Sequence, residues 1–340
     1  MPVNFSDTFC SRLCAYCGLT FMLVPGLIVA SQADIRVGQS VLEVHADHRL
    51  LQQNESVWPD WIEPLAKSLV SVTERFPEPR LKVVLEPSEQ RNPITFGRVR
   101  RSRPPEVHLY IHPEAELADL LDDWRGFHEF AHLLLPFAGN DDIWFAEGLA
   151  AYYQHLLQVR AGVIDSDEAW RRMFSGFQRG LNDPSGQGQT LRELSPRMWR
   201  ERAFRRIHWT GASYFLRVDL RLRQGSNGEQ SVDSALAAFS RCCRDMNRSW
   251  NARQLIERLD RLGGTRIWWE EYERMIDAPA RPDLDWAMDQ LGIEWQGGGI
   301  DLAGDPQSVR LRAAIAARLS SIPEPQSGFR CPRPARRPGG

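Results

Sequence analysis

Lysine, net charge and usable cysteine are all scarce in this chain. Lys67 and Lys82 are its two lysines, and every other basic residue is arginine. With 42 basic against 44 acidic side chains the formal charge is −2. A strong overall field is thereby excluded, and nucleic acid is not an expected partner. Six cysteines in 340 residues are too few for a disulfide scaffold. Three of them, Cys10, Cys14 and Cys17, fall in or beside an apolar leader. The adjacent Cys242 and Cys243 sit too close for ordinary bridge geometry. Buried thiols, or a bridge from one of them to Cys331, are the readings that follow. There is no internal repeat and no second long uncharged apolar run, so a polytopic membrane protein is excluded. A hydrophobic content of 42% and a charged content of 25% are those of an ordinary globular chain. Arginine and tryptophan are plentiful, and composition gives them no further meaning.

Residues 13–30 carry no charge and are followed by Ala30-Ser31-Gln32-Ala33. Small residues at Ser31 and Ala33 suit signal-peptidase cleavage after Ala33, and Pro25-Gly26 would break a spanning helix. Residues 1–33 are therefore expected to be a signal peptide. The mature chain is expected to be secreted or periplasmic, and an uncleaved membrane anchor is the alternative. At the other end, residues 321–340 are rich in Pro, Arg and Gly and predict a loose tail.

Between these ends one domain, 34–320, divides by pattern into two lobes. In the first, 34–113, Val41 to His45, Leu81 to Leu85, Ile94 to Val99 and Val107 to Ile111 read as strands. Residues 57–75 have helical spacing. From 114 to 320 the pattern is helical, with helices predicted near 115–135, 143–159, 166–178, 208–223, 231–244, 251–262, 265–276 and 284–291. Sheet first and helices after is an α+β layout: a small mixed sheet lobe followed by a mainly helical lobe.

The chemistry centres on His128-Glu129-Phe130-Ala131-His132, an H-E-x-x-H motif. Residues four apart on a helix lie about 40° apart on one face. His128 and His132 can then bind one Zn²⁺ from the same side, with Glu129 placed to act as general base. A zinc enzyme needs a third protein ligand, and Glu147 in Ile143-Trp144-Phe145-Ala146-Glu147-Gly148-Leu149-Ala150-Ala151-Tyr152-Tyr153 is the candidate. It sits beside the expected buried stripe Ala146, Leu149, Ala150, Tyr153 and Leu157, where an unpaired carboxylate is costly. A turn at 139–142 separates the two helices and lets them meet at one point. Asp122 and Asp123 are candidates to support a ligating imidazole, with helix charge as the plainer reading. His45, His48, His108, His112 and His155 lack paired spacing and read as structural. Arg98, Arg100, Arg101 and Arg103 read as a solvated hairpin, with a grip on a substrate carboxylate as the alternative.

His-Glu-Phe-Ala-His followed by Trp-Phe-Ala-Glu-Gly-Leu-Ala-Ala-Tyr-Tyr resembles the gluzincin clan of zinc metallopeptidases over about residues 105–225. It is most similar to the glycyl aminopeptidase family, which is related to the membrane alanyl aminopeptidases. The resemblance implies a thermolysin-like catalytic arrangement. It implies one zinc ion held by His128, His132 and Glu147, with Glu129 as general base and a peptide or protein as substrate. It also implies a substrate-pairing edge strand ahead of the zinc helix, for which Val107 to Ile111 is similar in placement. The alanyl families carry a Gly-Ala-Met-Glu-Asn type segment that holds the substrate amine. Here Thr95-Phe96-Gly97-Arg98 is the nearest stretch, so aminopeptidase and endopeptidase readings both stay open. Those families place an oxyanion-stabilising Tyr three residues before a Gly-Ala helix start. His208 stands there, ahead of Gly211-Ala212, and thermolysin-like members use a His that way. His208 is the expected oxyanion donor, with Tyr214 as the second candidate. Trp209, beside His208, is expected to line the cleft. A non-catalytic zinc-bearing scaffold that binds peptides or envelope proteins is the alternative function.

Overall fold

The computed structural model describes residues 32–50, 57–243 and 249–317. The expected leader up to Ser31 and the expected tail lie outside them, as does Cys331. The first lobe is a five-stranded sheet of β1 (Gln32–Val37), β2 (Ser40–Ala46), β3 (Arg80–Pro87), β4 (Ile94–Arg100) and β5 (Glu106–Ile111). Its spatial order is β1-β2-β3-β5-β4. Strand β1 was not expected, and it begins two residues before the expected cleavage point. The β1/β2 and β4/β5 pairs are antiparallel, whereas β2/β3 and β3/β5 are parallel. The parallel β2/β3 pair needs a crossover, which helix α1 (Val57–Thr73) supplies. That helix covers the sheet with Trp58, Trp61, Ile62, Leu65 and Leu69, all buried.

This order corrects the substrate-strand expectation. Strand β5 lies inside the sheet, paired on both sides, and β4 forms the edge. The chain runs from β3 out to β4 and returns to β5, so the later strand takes the inner place. An inner strand has no free ladder to offer a peptide.

The single helix expected over 115–135 is two helices, α2 (Leu117–Asp122) and α3 (Trp124–Ala131). Asp123 both ends α2 and caps α3. Its backbone is extended, and its carboxylate accepts from the Arg125 N–H at 2.9 Å. A residue at an N-cap leaves helical φ/ψ to free its side chain for the orphan N–H groups.

The second lobe is built on α4 (Ile143–Ala161), α5 (Ser166–Leu181) and α8 (Phe204–Gly225), with the short α6 (Leu191–Leu194) and α7 (Met198–Glu201) between them. Helices α9 (Val232–Cys242), α10 (Ala252–Gly263), α11 (Ile267–Ile276) and α12 (Asp285–Leu291) follow. A hairpin of β6 (Ile293–Gln296) and β7 (Gly299–Leu302) and a last helix, α13 (Pro306–Ala316), close the domain. The hairpin, α6, α7 and α13 had no strong periodic signal. Helix α4 is not amphipathic as expected: it is buried almost all round, which marks a central helix. It lies against α8 with Gly148 backed directly onto Gly211, and a Cβ on either would enter the other's backbone. That contact sets the separation of the two helices carrying Glu147 and His208. Among the described residues no helix is long and apolar enough to cross a membrane.

Cys242 and Cys243 are joined to each other, against the expectation that neighbours could not bridge. Cys243 has left helical backbone geometry at the end of α9, so the two side chains are free to meet.

Candidate metal centre and catalytic cleft

Helix α3 points its one polar face into a cleft between the lobes. His128 and Glu129 are buried, while His132, Glu147 and His208 open partly to the cleft. The His132 N–H still bonds to the His128 carbonyl at 3.3 Å, so both imidazoles keep the helical spacing the motif promised. Glu147 reaches them from α4. Its Oε2 lies 3.3 Å from His128 Nε2, 3.7 Å from His132 Nε2 and 3.3 Å from His208 Nε2. Three ring nitrogens and one carboxylate thus converge from three helices. His208 stands within the same ligating range, stacked 5.7 Å from the His128 ring.

This donor set fits a zinc ion. Imidazole nitrogens and a carboxylate oxygen brought to one point are the ligand types zinc takes in protein sites. Burial pushes the His132 pKa down to about 3 and also lowers that of His208. Burial opposes ionisation of Glu147, but the imidazoles of His208, His132 and His128 outweigh it and hold the carboxyl well below its usual range. At His128 burial disfavours the charged ring, yet contact with Glu147 raises its pKa overall. Burial pushes Glu129 up to about 7.

Supporting contacts come from Gln154 and Gln158, which belong to no motif in the sequence, and from His155, expected to be structural. His128 Nδ1 meets Gln154 Oε1 at 3.0 Å, two turns along α4 from Glu147. Gln154 Nε2 meets His155 Nε2 at 2.9 Å, and His155 Nδ1 meets Gln158 Oε1 at 2.9 Å. Gln158 in turn donates to the Asp122 carbonyl at 2.8 Å. Spacing of seven from Glu147 to Gln154 was the available signal. Asp122 and Asp123 do not touch a ligating side chain: Asp122 pairs with Arg172 at 2.8 Å, and Asp123 is the cap. Arg101 donates to the His132 carbonyl at 2.8 Å, so the arginine run is more than a solvated hairpin. Arg98 and Arg101 both line the cleft.

Edge strand β4 forms the opposite wall. A Cβ on Gly97 would come within 2.7 Å of the Glu129 carboxylate carbon. Glycine there lets the strand backbone sit directly against the base. The cleft, of about 570 Å³, is otherwise lined by Phe96, Trp124, Phe137, Trp199 and Phe204 among others. Trp209 is not in that wall. It packs edge-on to Phe177 at 5.2 Å and lines a neighbouring cavity instead. Tyr214 is buried, and its hydroxyl donates to the Trp268 carbonyl at 2.9 Å, so it does not face the cleft. His108 is clamped between Glu86 and Glu106 at 3.0 and 2.9 Å, a structural role within the sheet.

A His-Glu-x-x-His helix face is thus met by a glutamate and a histidine from two further helices. Residues 138–219 match the M61 glycyl aminopeptidase family model. Among solved structures, an aminopeptidase N family protein from Idiomarina loihiensis is similar at TM-score 0.60 and 15% identity, over 78% of this chain and 50% of that one. The M1 zinc metallopeptidase from Deinococcus radiodurans is similar at TM-score 0.49 and 15% identity, over 74% of this chain and 52% of that one. The chain therefore spans about half the length of these two proteins. No curated protein matches it. The α+β fold class read from the sequence stands.

Proposed function

We propose that the chain is an exported zinc peptidase that hydrolyses peptide bonds, with His128, His132 and Glu147 as metal ligands, Glu129 as general base and His208 as oxyanion donor. The observation that carries this reading is the convergence of the His128, His132 and His208 ring nitrogens on Glu147, with Glu129 facing the same cleft. Zinc, when bound, supplies Lewis-acid polarisation and acidifies water. Glu129 takes the proton from the attacking water and returns it to the leaving amine. The Nε2–H of His208 donates to the charge developing on the carbonyl oxygen. Substrate lies extended along the free edge of β4, adding to the sheet as a further strand. Gly97 removes the side chain that would separate that edge from Glu129.

The position of His208 favours a second reading. A fourth protein ligand closes a zinc site, and closed sites are structural. His208 is as near Glu147 as His128 is. In that case the chain is a zinc-bearing scaffold that binds peptides without turnover.

Two variants decide between them. Glu129→Gln is expected to retain stoichiometric zinc and lose turnover of a diverse peptide library by about 10²–10⁴-fold. Absence of zinc from freshly purified wild type sinks both readings. For His208→Phe, an oxyanion role predicts unchanged zinc affinity and turnover reduced about 10²–10³-fold. If zinc affinity collapses instead and wild type cleaves nothing, the scaffold is correct.

A further inference from the structure

Beside the metal cleft lies a second cavity of about 880 Å³, which shares Trp124, Arg125, Phe204 and His208 with it. The two therefore adjoin at His208. The carboxylates in its wall are already engaged. Asp123 holds Arg125 at 2.9 Å, Asp122 and Glu168 hold Arg172 at 2.8 and 2.7 Å, and Asp119 closes the capping box of α2. Arg179 and Arg205 differ. Both are exposed at the cavity, and neither has an acidic partner within ion-pair distance among the described residues. Arg179 donates to Ser175 at 2.9 Å and lies 5.8 Å over the Trp209 ring. Partial desolvation of the guanidinium at the cavity wall, and then the charge of Arg205, lower the pKa of Arg179, so the two cations feel each other. Guanidinium groups bind carboxylates through short, charge-assisted bonds. In the cleft itself the carboxylates are Glu129 and Glu147, both already assigned, and neither is free to receive a substrate ammonium.

We propose that Arg179 and Arg205 form a subsite for a substrate carboxylate, which makes anionic peptides the preferred substrates. The inference rests on the peptidase reading of the adjoining cleft. The carboxylate can come from an acidic side chain or from the peptide's own carboxyl terminus.

The test uses full-length zinc-loaded Glu129→Gln protein, titrated by calorimetry with three peptides of one core sequence. One is amidated and carries a glutamate near its end, one is neutral with a free carboxyl terminus, and one is neutral and amidated. At least one anionic peptide is expected to bind about tenfold or more tightly than the neutral one, the ratio of one charge-assisted bond. Which of the two does so identifies the source of the carboxylate. The advantage is expected to vanish when Arg179→Gln and Arg205→Gln are combined, and to survive in part in the double Lys variant. Both positions are exposed, and unchanged thermal unfolding checks that the variants fold. Equal or absent binding of all three peptides, or an advantage untouched by the Gln pair, overturns the subsite. Because binding is read without turnover, failure of wild type to cleave any of the peptides counts against the peptidase reading and not against the subsite.

Discussion

Helix α4 carries two clusters of buried or half-buried polar side chains that differ in how their groups are satisfied. Toward its carboxyl end, Arg160 gives Asp233 two bonds at 3.0 and 2.7 Å and gives the Ile315 carbonyl a third at 3.1 Å. The Tyr153 hydroxyl adds another bond to Asp233 at 2.6 Å. Beside it, Asp219 receives Tyr152 at 3.0 Å, Arg223 at 2.9 Å and the Val232 N–H at 2.6 Å. Cations match anions there, and donors point at acceptors. Near the amino end, Glu147 alone faces three imidazoles that open onto the cleft. The first cluster pairs each carboxylate with a guanidinium inside the protein, whereas the second turns one carboxylate and three imidazoles toward one point at the cleft. A buried polar group therefore signals function when its neighbours cannot satisfy it, not merely when it is buried.

That contrast can be broken by experiment. The largest effect is expected from Asp233→Ala, which strands Arg160 in the interior and should cost about 3–5 kcal/mol of stability. Zinc affinity at the other end of α4 should be unchanged; denaturant unfolding and a zinc titration on the same sample read both. A parallel loss of zinc affinity would mean that the clusters are one unit. Next is Gln154→Leu, which removes the partner of His128 Nδ1. A loss of about 10–100-fold in zinc affinity is expected, with little change in unfolding of the zinc-free protein. Were stability to fall and zinc affinity to hold, Gln154 would belong with the structural cluster. The smallest effect is expected from Tyr153→Phe, about 0.5–1.5 kcal/mol for one hydrogen bond. Arg160 still holds Asp233, so a loss of several kcal/mol would show that the network is cooperative rather than pairwise.

Much of the site was legible because its signal is local. The His128–His132 spacing is a property of one helical turn, and Glu147 stood out as a carboxylate beside an apolar stripe. His208 was found through its place ahead of Gly211-Ala212. Gln154 was passed over because glutamine carries no charge that needs explaining, and its importance appears only when α3 lies against α4. Arg179 and Arg205, the proposed carboxylate subsite, drew no attention for a related reason: an exposed arginine is unremarkable until no acid stands near it. Tyr214 and Trp209 drew attention by proximity in sequence to His208, but successive residues on a helix point about 100° apart. The helical lobe was legible where apolar periodicity was strong, as in α5 and α10. It was illegible in α13 and the β6/β7 hairpin, where short elements are held by neighbours rather than by pattern.

By itself the sequence determined the class of fold and the placing of His128, Glu129 and His132 within one helical turn, because periodicity and i,i+4 spacing act within a few residues. Tertiary structure alone decided that β4, not β5, is the free edge, since strand order depends on which strand returns inside. It decided the break at Asp123, where a carboxylate found better use as a cap than in a continuous helix. It also decided that His208 faces Glu147, because the backbones of Gly148 and Gly211 allow α4 and α8 to approach that closely.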